Sequence, residues 1–416
     1  MNHSMITRCL FGAAMFCIAG MPAAAQLKLP SGFKATVLTT DMQHARHIAV
    51  APNGVIFVKL ERLKNGKGIY RLEDTNGDGK PDKVTGFGDY VGTGMYLKGD
   101  YLYASSNTDV YRYRLDKNYN VLNPDKPEHI VRGLLDRGEH NSKSIVLDND
   151  GNLYVNIGAY SNACQVSDRQ KGSPGRMPCP ILDSAGGIWE FKAGVPDQTY
   201  GDDHRYATGL RNVVGLDWNT ATNTLFVMQH GRDQLSDLFP QYWDSKQSAV
   251  LPAECMYELH KGSNCGWPYI FYDQIQHKQI ESPEYGGDGK KGPSRQYQDP
   301  VIAFPGHLAP DGLLFYTGNQ FPAKYKNGAF IAFHGSWNRA PQPQEGYYVV
   351  FVPFSNGKPS GNWEVFANNF AGGPDKMQPG SAEHRPCGLA QGPDGSIYVT
   401  DDQRNGGTIW KISYHK

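Results

Sequence analysis

The chain has 416 residues and carries 41 Lys+Arg against 41 Asp+Glu, so it has no overall field to attract a nucleic acid or an anionic membrane. Hydrophobic residues at 39% and charged residues at 20% exclude a disordered chain. The 48 Gly and 27 Pro lack a Gly-X-Y period, which fits a turn-rich all-β protein better than collagen or a helical bundle.

The first feature in chain order is a targeting segment. Met1 to Thr7 is polar, Arg8 follows, Cys9 to Met21 is apolar, and Ala23-Ala24-Ala25 offers a small-residue cleavage site. The apolar run is too short to span a bilayer. Residues 1–25 are therefore expected to be a signal peptide and residues 26–416 a single domain. That domain would be periplasmic or secreted, with no membrane span.

Past the signal, one unit recurs: an apolar strand, a short Gly-containing turn and a second strand rich in Tyr, Val and Phe. It can be written six times, as HIAVAPNGVIFVK (47–59), GMYLKGDYLYASS (94–106), SIVLDNDGNLYVNIG (144–158), VVGLDWNTATNTLFVMQHG (213–231), DGLLFYT with GAFIAFHGSW (311–337), and GLAQGPDGSIYVTDD (388–402). Each hairpin has too little apolar surface to stand alone. Six of them predict a six-bladed β-propeller, with loop insertions at the channel mouth and long ones between the third and fifth blades. Thr408 to Tyr414 is expected to close the ring beside early chain. No long stretch keeps a 3.6-residue apolar period, so helix should be scarce.

After the first hairpin, Asp74, Asn76, Asp78 and Asp82 occupy oxygen-ligand positions of a calcium loop, with Gly79 at the sharp turn and Lys80 at the position that offers a main-chain carbonyl. Thr85 stands where the bidentate glutamate would be. The segment reads either as a structural calcium site or as a polar hairpin turn. Further on, an oxidising compartment makes Cys164/Cys179 and Cys255/Cys265 the natural pairs, leaving Cys387 over. No zinc spacing and no Cys-x-x-Cys-His haem motif occurs.

In a propeller the loops leading into each innermost strand gather at one mouth. Those positions hold Arg46 and His47, Glu139 and His140, Arg211 and Asn212, His307 and Arg385, with Trp267 and Trp337 nearby. Arginines and histidines so placed would balance a dianionic or trianionic ligand.

The runs RGEHNSKSIVLDNDGNLYVNIG (137–158), YATGLRNVVGLDW (206–218), HGRDQLSDL (230–238), NCGWPY (264–269), FPGHLAPDGLLFYTG (304–318) and RPCGLAQGPDGSIYVTDD (385–402) resemble the soluble quinoprotein sugar dehydrogenases, especially the sorbosone or pyranose branch. The resemblance implies a six-bladed propeller carrying pyrroloquinoline quinone (PQQ) and Ca²⁺ at the channel mouth. It implies His140 as general base, with Glu139 orienting it or raising its basicity. Arg211 would stabilise charge on the quinone, and Asn212 and Arg385 would bind the cofactor. Gly231 and Arg232 would offer carbonyls to the calcium ion, although the glucose-oxidising branch has proline after that glycine. The second cofactor arginine aligns with Cys387, so the contact must come from elsewhere, and Arg46, His307 and Arg339 are candidates by position, with Trp337 to cover the ring. The implied partners are a sugar and an external electron acceptor, a quinone or a cytochrome. Two rivals remain, a gluconolactonase-like metal-dependent hydrolase and a non-enzymatic binding propeller. The first needs convergent carboxylates, whereas these lead-in positions are mostly cationic.

Overall fold

A computed structural model describes residues 26–403 and 406–415, and the expected signal peptide at 1–25 lies outside them. Six sheets form the blades, each with four antiparallel strands, and short parallel strands at Gln198–Thr199 and Ser263–Asn264 add a fifth to blades 2 and 3. Blade 1 comprises Ala45–Val50, Ile56–Lys64, Lys67–Glu73 and Lys83–Phe87; blade 2 comprises Met95–Lys98, Tyr101–Ser105, Val110–Arg114 and Glu128–Arg132. Blade 3 comprises Ile145–Leu147, Asn152–Ile157, Gly187–Lys192 and Arg205–Thr208; blade 4 comprises Val213–Asn219, Thr224–Gln229, Glu254–Leu259 and Ile302–Phe304. Blade 5 comprises Pro310–Phe315, Ala329–Phe333, Tyr348–Val352 and Glu364–Ala367; blade 6 comprises Pro386–Gln391, Ile397–Asp401, Ile409–Tyr414 and, from the other end of the chain, Phe33–Thr39. The first strand of each blade touches the first strands of its two neighbours, and blade 6 returns to blade 1, so the ring is closed.

Each repeated hairpin of the sequence is the inner strand pair of one blade. The turns form because Gly54, Gly151 and Gly395 take φ of +89°, +82° and +80°, which a side chain would resist. The expected closing strand is also present: Phe33 pairs with Tyr414 and Val37 with Trp410, tying the two ends of the chain into one sheet. Blades then bury their faces against one another. Phe330, Phe351 and Phe366 of blade 5 pack with Ile397, Val399 and Trp410 of blade 6 in one cluster.

The long insertions fall inside blades 3 and 4, after Ile157, Gln229 and Leu259. Among the described residues, helix is limited to single turns, such as Leu235–Leu238 and Ser245–Ser248. No helix among the described residues is long and apolar enough to cross a membrane.

One expected disulfide forms and the other does not. Cys164 and Cys179 are bonded. Cys255 and Cys265 are free thiols, as is Cys387. Cys255 lies on the third strand of blade 4, whereas Cys265 follows Ser263–Asn264, which adds parallel to the outer strand of blade 3. The two cysteines are therefore anchored on different sheets and sealed in the apolar layer between them, where burial pushes both thiols up.

Candidate functional site

Four inner strands share one irregularity. Ala45 pairs with Leu60 but Ile48 with Val58, and the same one-residue excess on the inner strand recurs at Val213/Leu216, Pro310/Gly312 and Pro386/Leu389. Such bulges twist the strand and re-aim side chains. All four sit near the start of the inner strand, where the channel opens. In blade 1 the result is a split: Arg46 faces the upper mouth, while His47 turns to the lower channel and contacts Asp311 O at 3.2 Å.

The upper mouth encloses a cavity of about 450 Å³. Its walls include Arg46, His140, Arg211, Asn212, His307 and Arg385 from the strand lead-ins, with Glu139, Gly231 and Trp337. These expected positions come together as the sequence implied.

His140 has φ of +52°, and the backbone passes close beside it: a Cβ on Gly158 would lie 2.6 Å from His140 Cβ. Its Nδ1 is 2.5 Å from Ala159 O. A carbonyl only accepts, so Nδ1 carries the proton and Nε2 keeps a free lone pair. Burial, reinforced by Arg211, pulls the imidazole pKa down to about 3, so the ring is neutral at ordinary pH. The orienting bond thus comes from Ala159. Glu139, expected to play that part, lies 3.8 Å from Nε2 and accepts instead from Arg169 Nη2 at 2.7 Å.

Arg211 is buried and bidentate in a different sense: Nη1 donates to Gly231 O at 2.9 Å and Nη2 to Asp233 Oδ2 at 2.9 Å. Burial alone would raise Asp233, but Arg211, His307 and Arg169 overcome it and hold the carboxyl well below the usual range. Arg169 reaches Asp233 at 3.1 Å from inside the loop closed by Cys164 and Cys179, so that disulfide supports the wall of the cavity.

Arg46 lies beside Cys387. Its Nη1 lies 3.9 Å from Cys387 Sγ and 3.1 Å from Asp311 Oδ2, so a guanidinium from blade 1 sits against the small residue of blade 6. Arg385 donates to Gly335 O at 2.8 Å and His334 O at 3.2 Å, and has no carboxylate partner among the described residues. Trp337 stands 64% exposed on the rim. Trp267, by contrast, is core: its indole N–H donates to Asn162 O.

Two expectations need correction, at Arg339 and in the charge of the mouth. Arg339 does not line the cavity, because its guanidinium is held by Glu345 at 2.8 Å and by Pro343 O at 3.0 Å. Arg232 was expected to act through its carbonyl; its side chain is held away from the cavity in a buried pair with Glu284 on the loop after Gly231. Finally, the mouth is not a bare cationic funnel. Arg46 faces Glu61, Asp311 and Asp402, and Arg211 and Arg169 share Asp233.

The balancing groups, with His230, His334 and Asn338, come mainly from the ends of the second strands. Their signal was readable: a His-Gly pair follows the second strand in both blade 4 and blade 5, at His230-Gly231 and His334-Gly335. The loop of Asp74, Asn76, Asp78, Lys80 and Asp82 is not part of this site. It is an exposed outer hairpin of blade 1, where Asp74 accepts the amides of Gly77 and Gly79 and Asp82 accepts from Thr75.

A family model described as TrAA12-like matches residues 27–270 and 275–415. An uncharacterized protein of Borreliella burgdorferi is 26% identical over 100% of this chain and 98% of its own length. A pyrroloquinoline quinone-dependent pyranose dehydrogenase of Coprinopsis cinerea is 26% identical over 82% of this chain and 47% of its own length, so this chain spans about half of that protein. Among solved structures, the calcium form of a Trichoderma reesei family AA12 enzyme superposes with a TM-score of 0.75, 19% identity and coverage of 94% and 98% of the two chains. The holo PQQ domain of the Coprinopsis cinerea pyranose dehydrogenase gives 0.71, 20% identity and coverage of 93% and 97%. At these identities the superpositions show a shared fold.

Proposed function

Because the chain belongs to the TrAA12-like family, we propose that it is a quinoprotein sugar dehydrogenase of the pyranose or sorbosone type, using PQQ and Ca²⁺. The observation that carries this reading is the convergence, on one cavity, of a neutral imidazole with a free nitrogen and guanidinium groups that still have unmade hydrogen bonds. Nε of Arg46 and Nε of Arg211 are buried without an acceptor among the described residues, and Arg385 has only main-chain partners. Buried donors are rarely left so. They fit a planar, multiply charged anion such as PQQ. Gly231 O has one lone pair taken by Arg211 and a second still available, the donor type a hard cation requires.

When bound, PQQ with Ca²⁺ supplies a two-electron acceptor for hydride from a substrate carbon. The chain supplies the rest. His140 accepts the proton of the substrate hydroxyl at Nε2, while the Ala159 bond holds the ring in the tautomer that leaves that atom free. Arg211, fixed by Gly231 and Asp233, aims a cation at the place where negative charge develops. Asn212 from the blade 4 lead-in and Arg385 from the blade 6 lead-in would hold the cofactor, and Trp337 offers an open aromatic face. The signal-peptide pattern of residues 1–25 supports a location outside the cytoplasm, where an external quinone or cytochrome would take the electrons.

The carboxylates around the mouth favour one second reading, a metal-dependent hydrolase of sugar lactones. Reconstitution separates the two. Chelator-treated protein should reduce a dye with aldoses or sugar aldehydes only after PQQ and Ca²⁺ are both restored. Lactone hydrolysis with metal alone would support the hydrolase, and failure to bind PQQ would end the dehydrogenase reading.

A further inference from the structure

Beside the cavity, blades 1 and 6 bring together His44, Glu61 and Asp402. His44 Nδ1 lies 4.0 Å from Glu61 Oε2 and 3.9 Å from Asp402 Oδ1, and the three ligand atoms fall within 4.8 Å of one another. The backbone fixes two of them, since Glu61 N donates to His44 O at 2.9 Å across the blade 1 hairpin.

The carboxylates are divided between two sides. Arg46 Nη2 takes one oxygen of each, Glu61 Oε1 at 3.1 Å and Asp402 Oδ2 at 3.2 Å. The opposite oxygens face His44. Asp402 is buried, its side chain only 5% exposed, and its Oδ1, the atom turned toward His44, has no hydrogen-bond donor among the described residues. A buried carboxylate oxygen without a partner is costly and calls for an explanation. Arg46 also meets Asp311, so one guanidinium serves three carboxylates, and His334 Nε2 lies 3.1 Å from Asp402 Oδ2 on the side away from His44.

We propose that His44 Nδ1, Glu61 Oε2 and Asp402 Oδ1 bind a divalent transition-metal ion of the zinc type. An imidazole with two carboxylates suits zinc better than calcium, which prefers an all-oxygen shell. Bonds of about 2.0–2.2 Å require the ligand atoms to close in by only a few tenths of an ångström. The half-exposed Glu61 leaves room for water to complete the coordination. The ion would clamp the first blade to the last and hold the carboxylates that position Arg46. It is separate from the calcium ion of the proposed cofactor site, and it stands or falls independently of the dehydrogenase reading.

Cobalt is the probe. Chelator-treated full-length protein, titrated with Co²⁺, should develop visible d–d absorption that saturates at one equivalent and is displaced by Zn²⁺ but not by excess Ca²⁺. His44→Ala and Glu61→Gln should each weaken binding by more than about tenfold, since loss of even an outer-shell partner costs that much. Circular dichroism of both variants checks that they remain folded, and His140→Ala should bind Co²⁺ as the wild type does. Absence of the band, or equal uptake by folded His44→Ala, overturns the site.

Discussion

The channel has two ends of equal size and opposite chemistry. Each cavity measures about 450 Å³; the lower one is lined by all six inner strands, whereas the upper one takes no residue from blade 2. The lower one is walled by strand residues such as Ile48, Val50, Leu97, Leu216 and Leu313, with Asp217 its one carboxylate among the described residues. The upper one is walled by groups from strand lead-ins and strand ends, nearly all polar. Carboxyl groups show the difference most sharply. At the upper mouth, cationic neighbours outweigh burial at Asp233 and Asp311 and hold both low, whereas burial still raises Glu254 there. Asp217 has no such partner: it accepts the amides of Phe315 and Trp218 at 2.8 and 2.9 Å, and burial pushes it up to about 7. The ladder of hydrogen bonds fixes what the strands present, so chemistry collects where loops are free to vary.

The strongest way to test this division is to remove the base from the upper end. His140→Ala should lower kcat by about two to four orders of magnitude with PQQ binding retained, because general-base assistance is typically worth that much. Stopped-flow reduction of the loaded variant at the wild-type rate would break the assignment.

A smaller effect tests what supports the upper wall. The Cys164–Cys179 bridge closes a loop over a sequence separation of 15 and carries Arg169. Replacing both cysteines by Ser should cost about 3 kcal/mol of stability by the loop-entropy argument. Denaturant unfolding measures that loss. It should be accompanied by a raised KM, because Glu139 and Asp233 lose their shared cation; an unchanged KM would make the bridge purely structural.

The smallest effect belongs to the lower end. Asp217 has its ordinary value of 3.8 when unfolded and about 7 when folded, so between those pH values the folded chain holds a proton the unfolded chain has released. Its contribution is therefore most favourable below about pH 4 and is lost as pH rises through 7. Because solvent reaches the open cavity, the change should amount to about 1–2 kcal/mol rather than the full shift. The stability difference between Asp217→Asn and wild type should move in favour of the variant from pH 5 to pH 8. A difference that stays flat with pH would show that Asp217 is already ionised, and the contrast between the ends would narrow.

Much of this was legible in the chain because it depends on local pattern. PNG, NDG and PDG between apolar runs specify hairpins, and six hairpins too small to fold alone specify a ring. His140, Arg211 and Arg385 were legible because a lead-in to an inner strand must reach one mouth whatever its neighbours are. Asp233, Asp311 and His334 were not singled out, although they lie within or beside the same repeats.

What sequence alone determined, then, is the number of blades, the closing strand, and half of the mouth. Only the tertiary structure decided the rest, for reasons of non-local geometry. A one-residue bulge sends Arg46 up and His47 down, a choice that strand alternation alone does not reveal. Cys255 and Cys265, ten residues apart in a loop-rich segment, end on separate blades and stay reduced. The arginines that suggested a bare cationic funnel meet their carboxylates across blades, as Arg46 of blade 1 meets Asp311 and Asp402, some 265 and 356 positions away. Closing a ring makes such distant residues neighbours, and the charge balance of the site is set by that closure.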